Sequence, residues 1–223
     1  MENKSGNFGV DFKSPVFEAY RTLRTNIEFS GVDKKIKTIL ITSASSSEGK
    51  STTCANLAVV FAQMGSKTLL VDADLRKPVQ HKIFNTTKNI GLTSLLSSDI
   101  SVEDVISKTD FNNLFVLSCG IKPPNPSELI SSARMKKLVV EWKDMFDVII
   151  IDSPPVGIVT DASILSSMVD ATIVVVSSRR TEYNDMDRAI ESLRNVNANI
   201  VGTVLNNFKG YDNNGRYNYR YNY

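Results

Sequence analysis

ILITSASSSEGKST, residues 39–52, is the stretch on which the reading of this chain turns. Strand-forming residues run into a serine-rich segment that closes on Gly-Lys-Ser. An alanine-rich run, 52–64 (TTCANLAVVFAQM), follows and is closed by Gly65, a residue suited to a helix C-terminus. Strand, tight loop and helix in that order are the setting of the phosphate-binding pattern G-x-x-x-x-G-K-[ST]. The matching residues are 44–51: Ala44 replaces the first glycine, while Gly49, Lys50 and Ser51 are in place. Phosphate binding requires inward-pointing backbone N–H groups, the positive end of a helix dipole and an ammonium, rather than every glycine. Ser45, Ser46, Ser47, Glu48, Gly49, Lys50, Ser51 and Thr52 therefore form the candidate cradle, with the Ser51 hydroxyl available to Mg²⁺. A left-handed serine at 46 or 47 would cost ~1–2 kcal/mol. The bland alternative is a Gly-Lys-Ser that simply begins a helix.

Outward from this loop, short apolar runs alternate with helical patterns. Strands are expected at 36–42 (IKTILIT), 68–72 (TLLVD), 114–117, 148–152 (VIIID), 172–176 (TIVVV) and 200–205 (IVGTVL). Several are apolar throughout, as strands buried on both faces of a parallel sheet should be. Helices are expected at 52–64, 132–145, 161–168 and 183–196. This rhythm predicts an α/β fold: a doubly wound, mostly parallel sheet flanked by helices, with ligands at the carboxyl ends of the strands. One domain is expected over 1–208 with 1–15 as a flexible lead. The end, KGYDNNGRYNYRYNY (209–223), has no aliphatic residue and is expected to be disordered.

Two further strand ends carry acids. LLVDADLRKP places Asp72 and Asp74 two residues apart, so both carboxylates leave on one side. Adjacent acids repel unless a cation is near, which suits a magnesium-nucleotide. The plain alternative is a polar strand cap paired with Arg76. FDVIIIDSPP has the form of a Walker B strand, whose Asp152 would act on a Mg²⁺-bound water. Three strand ends, one with the loop and two with acids, together point to a nucleotide site.

Composition narrows the class. With 42% hydrophobic and 22% charged residues the chain has the make-up of a soluble globular protein. A formal charge of +2 is too small to argue for nucleic acid as a partner. No apolar run approaches the ~20 residues needed to span a bilayer, and the start lacks a signal-peptide pattern, so a cytoplasmic location is expected. Cys54 and Cys119 fit no metal spacing and read as buried thiols. His81 is the only histidine, which excludes multi-histidine metal sites and histidine triads.

At this point the chain resembles the bacterial protein-tyrosine kinases (BY-kinases) of capsule and exopolysaccharide synthesis, themselves P-loop NTPases of MinD/ParA-like fold. The resemblance rests on FEAYRTLRTNI (17–27), TSASSSEGKST (42–52), LLVDADLRKP, CGIKPPNPSELI (119–130), IIIDSPP with VTDA (159–162), and the terminal tyrosines. It implies ATP and Mg²⁺ as cofactors, with Lys50, Asp72 and Asp74 catalytic: Lys50 on the transferring phosphoryl and Asp72 as base. It implies Ser51, Asp74 and Asp152 about the metal, and, by fold analogy, Asn206 toward the adenine. It further implies autophosphorylation in trans of Tyr211, Tyr217, Tyr219, Tyr221 and Tyr223, within a homo-oligomeric ring held by Glu18, Arg21 and Arg24. A membrane-embedded polysaccharide co-polymerase would recruit the chain to the inner face of the membrane and activate it, and a cognate phosphatase would reverse the reaction. The family's loop often reads Pro-Gly where this chain has Ser46-Ser47.

Each reading has a competitor. The E-x-x-R-x-x-R stripe could be a solvated helix face, and the tail a low-complexity end. The whole chain could be a MinD/ParA-type ATPase switch, although an extra lysine early in the loop and a basic amphipathic terminal helix are both missing. It could also be a non-catalytic assembly subunit with an impaired loop.

Overall fold

The chain alternates hydrophobic strands and helices, and a computed structural model describes residues 11–31 and 35–208 of it. In order the elements are α1 (Pro15–Ser30), β1 (Thr38–Ser43), α2 (Lys50–Gln63), β2 (Thr68–Asp72), α3 (Gln80–Ile83), α4 (Leu92–Ser97) and α5 (Val102–Val105). There follow β3 (Ser107–Lys108), β4 (Leu114–Leu117), α6 (Pro126–Ser131), α7 (Ala133–Met145), β5 (Val148–Asp152), α8 (Asp161–Ser166), β6 (Ala171–Ser177), α9 (Tyr183–Arg194) and β7 (Ile200–Asn206). The strands form one sheet in the order β3-β4-β2-β5-β1-β6-β7. Every pairing is parallel except β3 with β4. The doubly wound, mostly parallel sheet expected from the strand pattern is thus present, and β3, too short to show a pattern, adds the antiparallel edge.

Strand alternation divides the core between the two faces. Leu40, Leu69, Val71, Ile149 and Ile151 point to one side, where Leu95 of α4 and Leu138 and Trp142 of α7 cover them. Ile39, Ile41, Leu70, Val148 and Ile150 point to the other, under Leu57 and Phe61 of α2 and Phe17 of α1. Helix α2 is buried along nearly its whole length, so it is apolar all round rather than striped. Asp72 and Asp152 lie two residues beyond Leu70 and Ile150. By the same alternation they face the α2 side, beside the loop.

Residues 1–10 of the expected lead and 209–223 of the tail lie outside the described residues. From Asp11 the chain is engaged: Phe12 packs edge-on against Phe17 (5.1 Å between ring centres) and Phe111 (6.4 Å). Ser14 caps α1 through the Phe17 N–H, and Pro15 opens the helix. At the amino ends of the strands Asp170 ties the start of β6 to the start of β1, accepting from the Thr38 N–H and hydroxyl and from Lys143 Nζ at 2.8 Å. Burial pushes its carboxyl up, but Lys143 and the Thr38 and Lys37 donors outweigh this and hold it at about 2. Cys54 and Cys119 are buried free thiols, as the spacing predicted. Among the described residues no helix is long and apolar enough to cross a membrane.

Candidate active site

Strand β1 ends at Ser43, and the first turn of α2 brings Lys50 and Ser51 to its carboxyl end. The loop between them needs positive φ twice, at Ser47 (62°) and Gly49 (95°). Ser47 stands where the family's loop often has glycine, and serine there carries the left-handed cost of ~1 kcal/mol. In this turn Ser45 and Ser46 are half-buried and Ser47 is exposed. Its own acid closes it: buried Glu48 accepts from the Ser45 N–H at 2.9 Å and from the Thr181 hydroxyl. The Ser45 N–H is thereby committed within the loop, which removes that amide from the expected cradle. Arg180 Nη1 lies 3.4 Å from the Ser47 carbonyl, so the segment after β6 braces the loop.

Asn206, at the end of β7, donates its amide to the Glu48 carbonyl at 3.0 Å. Its nitrogen serves the loop, so a base-facing role would fall to its oxygen. A Cβ on Gly49 would sit 1.9 Å from Asn206 Nδ2. Gly49→Ala is therefore expected to lower stability by at least ~2 kcal/mol in urea unfolding, from left-handed strain plus the clash. The Gly49→Ala, Asn206→Ala double variant should recover the clash part only. A single variant with wild-type stability would contradict the geometry.

Asp72 and Asp152 are matched in register on the adjacent strands β2 and β5, and both are fully buried. Each is held by one oxygen. Asp72 Oδ2 accepts from the Val79 and Gln80 N–H groups, both at 2.9 Å. Asp152 Oδ2 accepts from Gln80 Nε2 at 2.7 Å. The Ser51 side chain also hydrogen-bonds Asp152, and the Lys50 charge reaches it. The Oδ1 atoms of both acids are buried without a protein partner. Burial raises Asp152 to about 6, against the hydrogen bonds of Gln80 and Ser51. Burial, then the charge of Asp152, pushes Asp72 well above the usual carboxylate range.

Two buried acids, each with an oxygen lacking a partner, beside a hydroxyl and an ammonium, fit a divalent cation carried by a phosphate chain. Among the described residues no three His, Cys, Asp or Glu side chains group closely enough to hold a metal alone. That suits Mg²⁺, which takes one or two carboxylates and completes its shell with water and substrate phosphates. Asp74, two residues past the end of β2, is buried, with Oδ1 accepting from the Arg76 (3.2 Å) and Lys77 (2.9 Å) N–H groups.

Several side chains that shape the site carry no local signal. Gln80 is one. Arg76 is another: its side chain pairs with buried Asp161 (3.0 and 3.1 Å) and with Ser127 (2.9 Å), not with Asp72 or Asp74. This joins the turn after β2 to the PPNPSE and VTDA segments, both of which carry the family resemblance. On α1, Glu18 pairs with Arg21, and Arg24 with Glu28 at 3.2 Å. Within one chain the stripe is thus internally paired, worth only a few tenths of a kcal/mol per pair. The five tail tyrosines lie outside the described residues. Of the others, Tyr20 is buried and Tyr183 is exposed.

A family model described as ParA, NUBPL iron-transfer P-loop NTPase, matches residues 34–218. Tyrosine-protein kinase YwqD of Bacillus subtilis is 47% identical over 197 residues, covering 88% of this chain and 83% of that protein. The kinase domain of Escherichia coli tyrosine kinase ETK matches with a TM-score of 0.88 and 30% identity, over 100% of this chain and 87% of that one. The septum site-determining protein MinD of Pyrococcus horikoshii, solved with Mg-ADP, is more distant. Its TM-score is 0.65 at 27% identity, over 76% of this chain and 69% of that one.

Proposed function

The chain belongs to the ParA-like P-loop NTPases and, among them, to the bacterial tyrosine-protein kinases; from that premise we propose that it transfers the γ-phosphoryl of ATP to the tyrosines of a neighbouring copy's tail. The observation that supports this most is the register pairing of Asp72 with Asp152, each with a partnerless oxygen, beside Ser51 and Lys50.

In this reading the loop amides and Lys50 hold the phosphate chain, and Lys50 balances charge on the transferring group. Bound Mg²⁺ would neutralise the β- and γ-oxygens. Ser51 offers its hydroxyl to the metal, with Asp152 and Asp74 orienting it directly or through water. Asp72 accepts the proton of the attacking tyrosine hydroxyl. As the oxygen–phosphorus bond forms, the bond to the β-phosphate oxygen breaks and ADP leaves. A tyrosine hydroxyl with a pKa of ~10 is a poor nucleophile at neutral pH, so a late proton transfer to a carboxylate suits it.

The acceptors are Tyr211, Tyr217, Tyr219, Tyr221 and Tyr223. Strand β7 ends at Asn206, whose amide reaches the Glu48 carbonyl of the loop, so the last described strand ends beside the site. Phosphorylation adds roughly −1.5 to −2 charge per tyrosine, which repels the acidic site and loosens docking. Glu18, Arg21 and Arg24 serve the contact between copies in a ring, exchanging their internal pairs for intermolecular ones. The family resemblance supports a role in capsule or exopolysaccharide synthesis and export, a membrane-embedded co-polymerase as activator, a cognate phosphatase, and a place at the inner face of the membrane.

The test is tandem mass spectrometry of the tail after wild-type protein acts, with ATP and Mg²⁺, on the Lys50→Met chain. Phosphate on the Lys50→Met tail, lost when Arg21 and Arg24 of both chains are alanine, is the expected result. Phosphate release without tail labelling would favour a MinD-type switch and sink the proposal.

A further inference from the structure

We propose that Gln80 is the residue that positions the two buried acids and the nucleotide-binding helix relative to one another, so that Asp152 presents a single, defined oxygen to the metal. This rests on the reading of Asp152 as a metal-orienting residue.

One residue makes three bonds to three different elements. Its backbone N–H holds Asp72 Oδ2 at the end of β2 (2.9 Å). Its Nε2 donates to Asp152 Oδ2 at the end of β5 (2.7 Å) and to the Ser51 carbonyl in the first turn of α2 (3.0 Å). Gln80 itself is fully buried. Both protons of the carboxamide are thereby used, and neither Asp152 nor the first turn of α2 can shift without breaking a bond to it. With Oδ2 fixed, rotation of the Asp152 carboxylate is blocked, and Oδ1, buried and unpartnered, keeps one direction.

The chemistry of the amide fits that task. A lysine or arginine here would bind the acids equally well, but would cancel the negative charge that attracts a divalent cation. A neutral donor orients the carboxylate and leaves its charge intact. Gln80 also keeps a cost that packing alone would not favour: its own Oε1 is buried without a partner. An apolar side chain of similar size would avoid that cost while filling the same space. Gln80 touches neither phosphate nor metal in this arrangement, so it is a positioning residue and not a catalytic one.

The experiment measures binding of a fluorescent ADP analogue to the full chain as Mg²⁺ is titrated, beside thermal unfolding without ligand. Gln80→Met keeps the volume and removes both donors. The half-saturating Mg²⁺ should rise about tenfold or more, while metal-free nucleotide binding stays within about twofold, as expected for outer-shell partners of a metal. Gln80→Asn retains the amide but is one methylene too short to reach both acceptors, and should show the same shift. It decides the matter if the methionine variant does not fold. A fall in melting temperature with an unchanged Mg²⁺ dependence in either variant would reduce Gln80 to a structural cross-link and overturn the proposal. Asp152→Asn is run in parallel. If it too leaves the Mg²⁺ dependence unchanged, the metal-site reading itself fails; if it shifts and Gln80→Met does not, only the role of Gln80 fails.

Discussion

Lys50→Met is expected to reduce tail phosphorylation by at least ~10³-fold, because charge stabilisation of a transferring phosphoryl is worth that much in P-loop enzymes. Lys50 opens α2 and is 7% exposed, with its charge reaching Asp152 across the site. Methionine has similar length and helix propensity, so the helix and the buried packing of its stem should survive. What is lost is the ammonium whose charge reaches Asp152. Quantitative mass spectrometry of the tail over time, in the presence of Mg²⁺ and ATP, reads the effect. A variant within tenfold of wild type would remove Lys50 from the chemistry and with it the proposed arrangement.

Asp152→Asn is expected to act in opposite directions on function and stability. Under the proposed metal role, magnesium-dependent nucleotide binding should be lost, since the carboxylate charge disappears and, with the amide oxygen kept toward Gln80, an NH2 group replaces Oδ1. Stability of the ligand-free protein should rise by about 3 kcal/mol at pH 8, following from a folded pKa of about 6 against the ordinary 3.8. A carboxyl whose folded pKa is raised contributes its full stability below the unfolded value. That contribution falls away as pH rises through the folded one. Wild type therefore loses stability between about pH 4 and pH 6 relative to the asparagine variant, and the gain should vanish near pH 4. Neighbouring Asp72 should ionise more easily once its like-charged partner is gone, because after burial that charge is the next cause of its raised pKa. Urea unfolding at pH 8 and just below pH 4, without metal or nucleotide, measures both ends. A variant less stable than wild type at pH 8 would show that Asp152 is held by favourable contacts rather than stored at a cost. The expected gain, by contrast, makes the two acids a case of stability set aside for function, which is common at active sites.

Much of this protein is legible along the chain. The strands at 68–72, 114–117 and 148–152 were expected with the bounds observed, because strands buried on both faces read as unbroken apolar runs. Several short helices and the edge strand were not. α3, α4, α5, α6 and β3 have six residues or fewer, too few for a period to emerge. Lys50, Ser51, Asp72, Asp74 and Asp152 were legible because each sits in a local frame: a loop of fixed spacing, or the end of a strand whose alternation dictates its face.

The chain alone thus determined the longer elements, the sheet class, the family resemblance and the ionic groups of the candidate site, since those depend on residues within one turn or one strand of each other. Folding decided which of those groups are held and by what. Gln80 meets Asp152 across 72 residues, Arg76 meets Asp161 across 85, Thr181 meets Glu48 across 133, and Asn206 meets Glu48 across 158. No periodicity links positions so far apart. Only the stacking of parallel strands, which gathers their carboxyl ends along one edge, makes them neighbours.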